Sequence, residues 1–148
     1  MNNRRRQQVL AAVTPLLAQG EQVELISLAK VGSVSVKRRV LTSALVGALT
    51  AGTVIATVQP RPLYWALTDR RLLFFEPGSV TGRPGKPVMV LPRELVAASP
   101  ARKALLGLGA QTVLTVQGEE KGLKLTFPPA FKAAGRDLAA RLTATATA

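Results

Sequence analysis

Cations dominate the side chains of this chain that could do chemistry. Lys and Arg number 20 against 8 Asp and Glu, a net charge of +12. They come in short clusters: Arg4, Arg5 and Arg6; Lys37, Arg38 and Arg39; Arg61; Arg70 and Arg71; Arg83 and Lys86. Such clusters suit phosphate, whether on nucleic acid or on lipid headgroups. The same charge also keeps an apolar chain in solution. Arg exceeds Lys, and Ala, Gly and Val are abundant, which is the codon composition of a GC-rich genome. The clusters alone therefore leave both readings open.

The sequence contains no cysteine and no histidine. Disulfides, thiolate chemistry, imidazole acid–base steps and the common zinc sites all lose their key group. The carboxylates are Glu21, Glu24, Asp69, Glu76, Glu94, Glu119, Glu120 and Asp137. None falls in a calcium-loop pattern or an obvious catalytic pair, so no catalytic residue, metal ligand or cofactor is assigned. The run Gly82, Arg83, Pro84, Gly85, Lys86 is only superficially a phosphate loop. Its glycines are too close together, and Pro87 stands where Ser or Thr should follow the lysine.

The elements that must position these cations follow from periodicity. Residues 2–17 read as an amphipathic helix, with Leu10, Val13 and Leu17 on one stripe, Val9 and Leu16 widening it, and Pro15 bending or ending it. Arg4–Arg6 sit in its first turn, the unfavourable end for cations. They are either a solvated terminus or a basic anchor on anionic groups. Residues 22–31 alternate as a strand. Gly32 and Ser33 signal a turn, and residues 34–36 a short further strand. Later strands are expected at 87–91, 111–117 and 122–127, the last two joined as a hairpin. Residues 130–142 form a final amphipathic helix, with Phe131, Ala134, Leu138 and Leu142 on one face, before a low-complexity tail at 143–148 expected to be disordered.

Residues 40–58 carry no charge. Their length approaches the roughly 20 residues of a spanning helix, but threonines and glycines dilute the run. Ala44, Gly47, Ala48 and Ala51 make a small-residue face suited to close packing. A membrane span, a segment dipping into lipid and a protein-buried helix all remain open. Alanine content favours a helix.

Residues 63–76, LYWALTDRRLLFFE, place two apolar runs around a short polar centre and read as a central β-hairpin. Asp69 is expected to close its turn. Arg70 and Arg71 are structural first and ligand-facing second. The part ALTDRRLLFFE resembles the a-L-T-x-x-R-L-h-h motif (h, apolar) of bacterial pleckstrin-homology and GRAM-type domains. Leu67, Thr68, Asp69, Arg71 and Leu72 match it. The stretch from Pro92 to Val96 and the Phe-Pro-Pro before the last helix also fit, so the likeness covers most of residues 21–142. It departs at residues 40–58, an apolar insertion longer than such a barrel requires.

The resemblance implies an α+β fold: a partly open antiparallel β-barrel of the pleckstrin-homology type with a C-terminal capping helix. Residues 1–19 form the N-terminal helix and residues 20–142 the domain. It also implies a binding or scaffolding role. With the clusters at Arg4, Arg5, Arg6, Lys37, Arg38, Arg39, Arg61, Arg70, Arg71, Arg83 and Lys86, the expected function is a non-enzymatic module on anionic lipid headgroups. The expected site is the cytoplasmic membrane face, occupied peripherally. The alternative is a protein-interaction or self-assembly module, a homo-oligomer packing through residues 40–58. Nucleic acid is disfavoured, because aromatics are only 4% of the chain and are better used as core.

Overall fold

One long strand organises the backbone. In a computed structural model, which describes residues 1–35, 59–78 and 82–147, β1 (Val23–Ser35) runs unbroken for 13 residues. Gly32, expected to turn the chain, lies inside it. A Cβ there would come within 2.9 Å of Pro60 Cγ, so the glycine serves a close approach rather than a turn.

The other strands are β2 (Arg61–Thr68), β3 (Arg71–Pro77), β4 (Pro84–Pro92), β5 (Val96–Ala98), β6 (Arg102–Ala104), β7 (Gly109–Val116) and β8 (Lys121–Phe127). They form one sheet in the order β4-β3-β2-β1-β8-β7-β5, with β6 added beside β7. Every pairing is antiparallel. β4 and β5 remain ends of this path, so the sheet is not closed into a barrel. The expected partly open barrel is thus observed as an open antiparallel sheet, with one helix before it and one after it in the chain.

The helices cover different faces. α1 (Asn3–Val13) is capped by Asn2, whose side chain accepts from Arg5 N, and Pro15 falls in the short 3-10 turn that follows. Val9 and Val13 bury fully against Ile26, Tyr64, Ala66, Leu73 and Phe75. Leu16, expected on the same stripe, stays 38% exposed. α2 (Lys132–Thr147) closes the other face, where Leu138, Ala139 and Leu142 join Trp65, Phe74, Leu114 and Phe127. Its backbone is helical to Thr147, past the expected boundary at Leu142 and into the tail expected to be disordered.

β2 and β3 lie between these two layers. That explains their apolar runs: residues 63–68 and 72–75 are buried without alternation, as expected of strands covered on both faces. The two-residue turn at Asp69 and Arg70 falls where the sequence places it. β4 begins earlier than expected, at Pro84, and carries Pro84, Pro87 and Pro92. Three prolines are tolerable because β4 is an end strand, and they blunt its free edge.

The readings of residues 40–58, together with Lys37, Arg38 and Arg39, lie outside the described residues. The strands on either side of that segment are neighbours, with Val31 opposite Arg61, so Ser35 and Gln59 belong to one side of any membrane. Among the described residues no helix is long and apolar enough to cross one.

Packing between the last strand and α2 is tight at Gly135. A Cβ there would sit 2.3 Å from ring carbons of Phe127. Phe127 in turn meets Trp65 edge-on, with ring centroids 6.3 Å apart. Gly135→Ala should therefore lower stability by about 1–3 kcal/mol, although alanine favours a helix by ~1 kcal/mol. Thermal unfolding followed by circular dichroism measures this, and a raised Tm would refute the packing account.

Candidate functional site

The hairpin turn that carries the sequence motif is a structural clasp. Thr68 Oγ1 accepts from Arg70 N at 3.0 Å and Arg71 N at 2.8 Å, and donates to Glu21 Oε2 at 2.6 Å. Thr68, not Asp69, therefore closes the turn. Asp69 Oδ1 instead accepts from Gln22 N at 2.8 Å, fixing the entry to β1. The Arg71 guanidinium grips buried Glu21 with both arms, Nε to Oε2 at 3.1 Å and Nη2 to Oε1 at 2.9 Å, and Nη2 also donates to Leu16 O at 2.6 Å. Glu21 completes its shell by accepting from Ala18 N. This constellation ties the α1–β1 connection to the β2–β3 turn, and it engages Nε and Nη2 of Arg71.

Three other expected anion ligands are also placed apart. Arg70 donates to Gln19 O at 3.3 Å and lines an open cleft with Glu24, Asp69, Arg93 and Glu94, whose carboxylates repel an anion. Arg61 pairs with Glu76 at 3.3 Å, with both side chains about half exposed, a contact of little energetic weight. Lys86 is exposed on the end strand β4. A carboxylate that sequence reasoning did not single out, Glu24, accepts from Arg93 and Arg141, each at 2.9 Å, and so joins β1 to the turn before β5 and to α2. No periodic pattern signals that contact, since Glu24 and Arg141 meet only through the fold.

Two of the basic clusters do converge. Arg4 and Arg5 of α1 meet Arg83 across a cleft of about 410 Å³, lined besides by Asn2 and Gln8 and by no carboxylate. Arg5 is its hinge-pin. It donates to Gln8 Oε1 at 2.8 Å and to Gly82 O at 3.0 Å, and lies 5.9 Å from the centroid of the Tyr64 ring. Tyr64 Oη donates to the same Gly82 carbonyl at 2.7 Å. Gly82 adopts φ +68°, a conformation that glycine takes freely. The strand residue Tyr64 and the helix residue Arg5 together hold the start of β4 so that Arg83 faces the helix. Arg6, on the same turn as Arg4 and Arg5, is exposed and does not line the cleft.

Amide donors at the start of a helix and clustered guanidinium groups both favour an oxyanion. Among the described residues no group of His, Cys, Asp or Glu could hold a metal ion. Comparison with protein families and with curated proteins finds no match to this chain.

Glu21 gives the clasp a pH signature. The hydrogen bond from Arg71 pulls its carboxyl from 4.5 to about 2, against the opposing effect of burial and with help from Thr68, Ala18 and the charge of Arg71. A carboxylate depressed in the folded state stabilises fully above its unfolded value, and that contribution fades as pH falls. Stability should therefore drop between about pH 4.5 and about pH 2, by on the order of 2 kcal/mol. Glu21→Gln should flatten that limb and cost roughly 2–3 kcal/mol at neutral pH. Urea titrations at stepped pH measure both, and an unchanged acid limb in the variant would sink the assignment.

Proposed function

We propose that this chain is a non-catalytic, pleckstrin-homology-like module that docks peripherally on the anionic inner surface of the plasma membrane through basic side chains. The carrying observation is the carboxylate-free cleft that brings Arg4, Arg5 and Arg83 together at the start of α1. Two further features support the fold class. A single strand, β1, pairs with one half of the antiparallel sheet on one edge and the other half on the other, and a C-terminal helix packs on the shared core. The motif residues Leu67, Thr68 and Leu72 are all buried at the hairpin that the resemblance marks.

In this reading the cluster residues separate by role. Arg71 and Arg70 hold the hairpin to the α1–β1 connection. Arg5 shapes the cleft, and Arg4 and Arg83 present charge to headgroups. A lysine or arginine close to an anionic surface is worth about 1 kcal/mol, screened over a Debye length.

Arg4→Ala with Arg83→Ala should therefore weaken partition onto phosphatidylcholine–phosphatidylserine vesicles by about 10–30-fold at low salt. Neither protein should bind pure phosphatidylcholine appreciably through this cleft. Vesicle co-sedimentation across a salt series measures it. Equal partition of wild type and variant would remove the cleft from the function, and failure of the wild type to bind charged vesicles would remove the membrane reading.

A further inference from the structure

The tip of the β6–β7 hairpin carries three leucines in water. Leu105, Leu106 and Leu108 are 50%, 103% and 63% exposed, more than any other large apolar side chain among the described residues. The turn closes through Gly107 N to Ala104 O and Leu108 N to Leu105 O, each at 3.1 Å. Its two central residues, Leu105 and Leu106, have φ of +53° and +58°, a region that Asn and Gly fill readily and leucine does not. Packing compensates little for this, because Leu106 is fully exposed and Leu105 half exposed.

The base of the hairpin is firmly held. Ser99 N donates to Val113 O, Val113 N donates back to Ser99 Oγ, and Thr112 Oγ1 donates to Ser99 O at 2.7 Å. The strained tip is thus presented by a rigid stem.

The sheet face next to the tip is cationic. Register sets Arg102 opposite Gln111, Gln111 opposite Thr126, and Thr126 opposite Lys30, a row across four strands. Lys124 lies on the same face, two residues from Thr126. A shallow cleft of about 320 Å³, lined in part by Lys30, Lys124, Gln111, Pro60 and Leu105 and by no carboxylate, runs between this row and the tip. Lys30, Arg102, Lys103 and Lys124 are exposed and make no ion pair among the described residues.

We propose that this tip inserts Leu105, Leu106 and Leu108 among the acyl chains of an anionic bilayer while Lys30, Arg102 and Lys124 meet its headgroups. The inference rests on the membrane reading above, yet on different side chains. An anionic bilayer is the occupant because it offers what this surface lacks: negative charge at the cationic rim and hydrocarbon immediately beneath it for the leucines. The left-handed turn is consistent with this, since leucines there weaken the free hairpin and become useful only when their side chains leave water.

The test separates binding from stability. Leu105→Asn with Leu106→Gly supplies the residues that the turn geometry favours. This double variant should unfold at a higher temperature than wild type, yet partition onto phosphatidylcholine–phosphatidylserine vesicles at least about tenfold less. It should also lose the fraction that resists a high-salt wash. Should the double variant fail to fold, Leu106→Ser with Leu108→Ser reads the same loss without touching Leu105.

Wild-type partition in either leucine variant would overturn the insertion. So would a wild-type dimer that both variants dissolve without any change on vesicles, since a second copy would then cover the tip. If Arg4→Ala with Arg83→Ala weakens binding and the leucine variants do not, the insertion alone fails. If the wild type binds neither charged nor neutral vesicles, the membrane reading falls and the insertion with it.

Discussion

The fold depends on β1 being shared between the two halves of the sheet. Its first part pairs with β2 and its last part with β8, and at Lys30 and Val31 the two ladders overlap. A buried strand cannot leave its N–H and C=O groups unpaired without a cost comparable to a lost hydrogen bond each. Both halves of the sheet must therefore be present for β1 to be satisfied. The rest is arranged around this shared strand: α1 covers the half that β1 makes with β2 and β3, and α2 fills the core that both halves enclose.

The chain's few carboxylates are committed early. Glu21 holds Arg71, and Glu24 holds Arg93 and Arg141. Each lies at or near the start of β1 and links distant parts of the chain to it. Cations gather in two other places: at the start of α1, where Arg4, Arg5 and Arg83 line one cleft, and on the face that runs from β1 through β8 and β7 to β6, where Lys30, Lys124 and Arg102 are exposed.

What could be read in the sequence was what has a period or a fixed turn chemistry. The β2–β3 hairpin, both terminal helices and the β7–β8 pair are local patterns, and they appear where expected within a few residues. Long-range use of short polar side chains had no such signal. Thr68 rather than Asp69 closes the hairpin, because Glu21, far away in sequence, engages the hydroxyl. The β6–β7 hairpin was unreadable for a related reason. Its tip contains Leu105 and Leu106 where turn rules call for Asn, Asp or Gly. Gly32 misled in the opposite sense, since a residue that usually bends a chain is here the one small enough to lie beneath Pro60. Of the eleven cations expected to bind anions, Arg4, Arg5 and Arg83 come together, a convergence that depends on Tyr64 and Gly82 rather than on the clusters themselves.

Trp65 is the only tryptophan of the chain, fully buried, edge-on to Phe127, and its indole Nε1 finds no hydrogen-bond partner among the described residues. It sits on β2, whereas Phe127 ends β8, so the ring contact bridges the two halves of the sheet. A lone indole in a dry, apolar site emits at short wavelength, and any water that reaches it shifts that emission to the red. The molecule therefore carries its own optical gauge of whether the two halves remain joined.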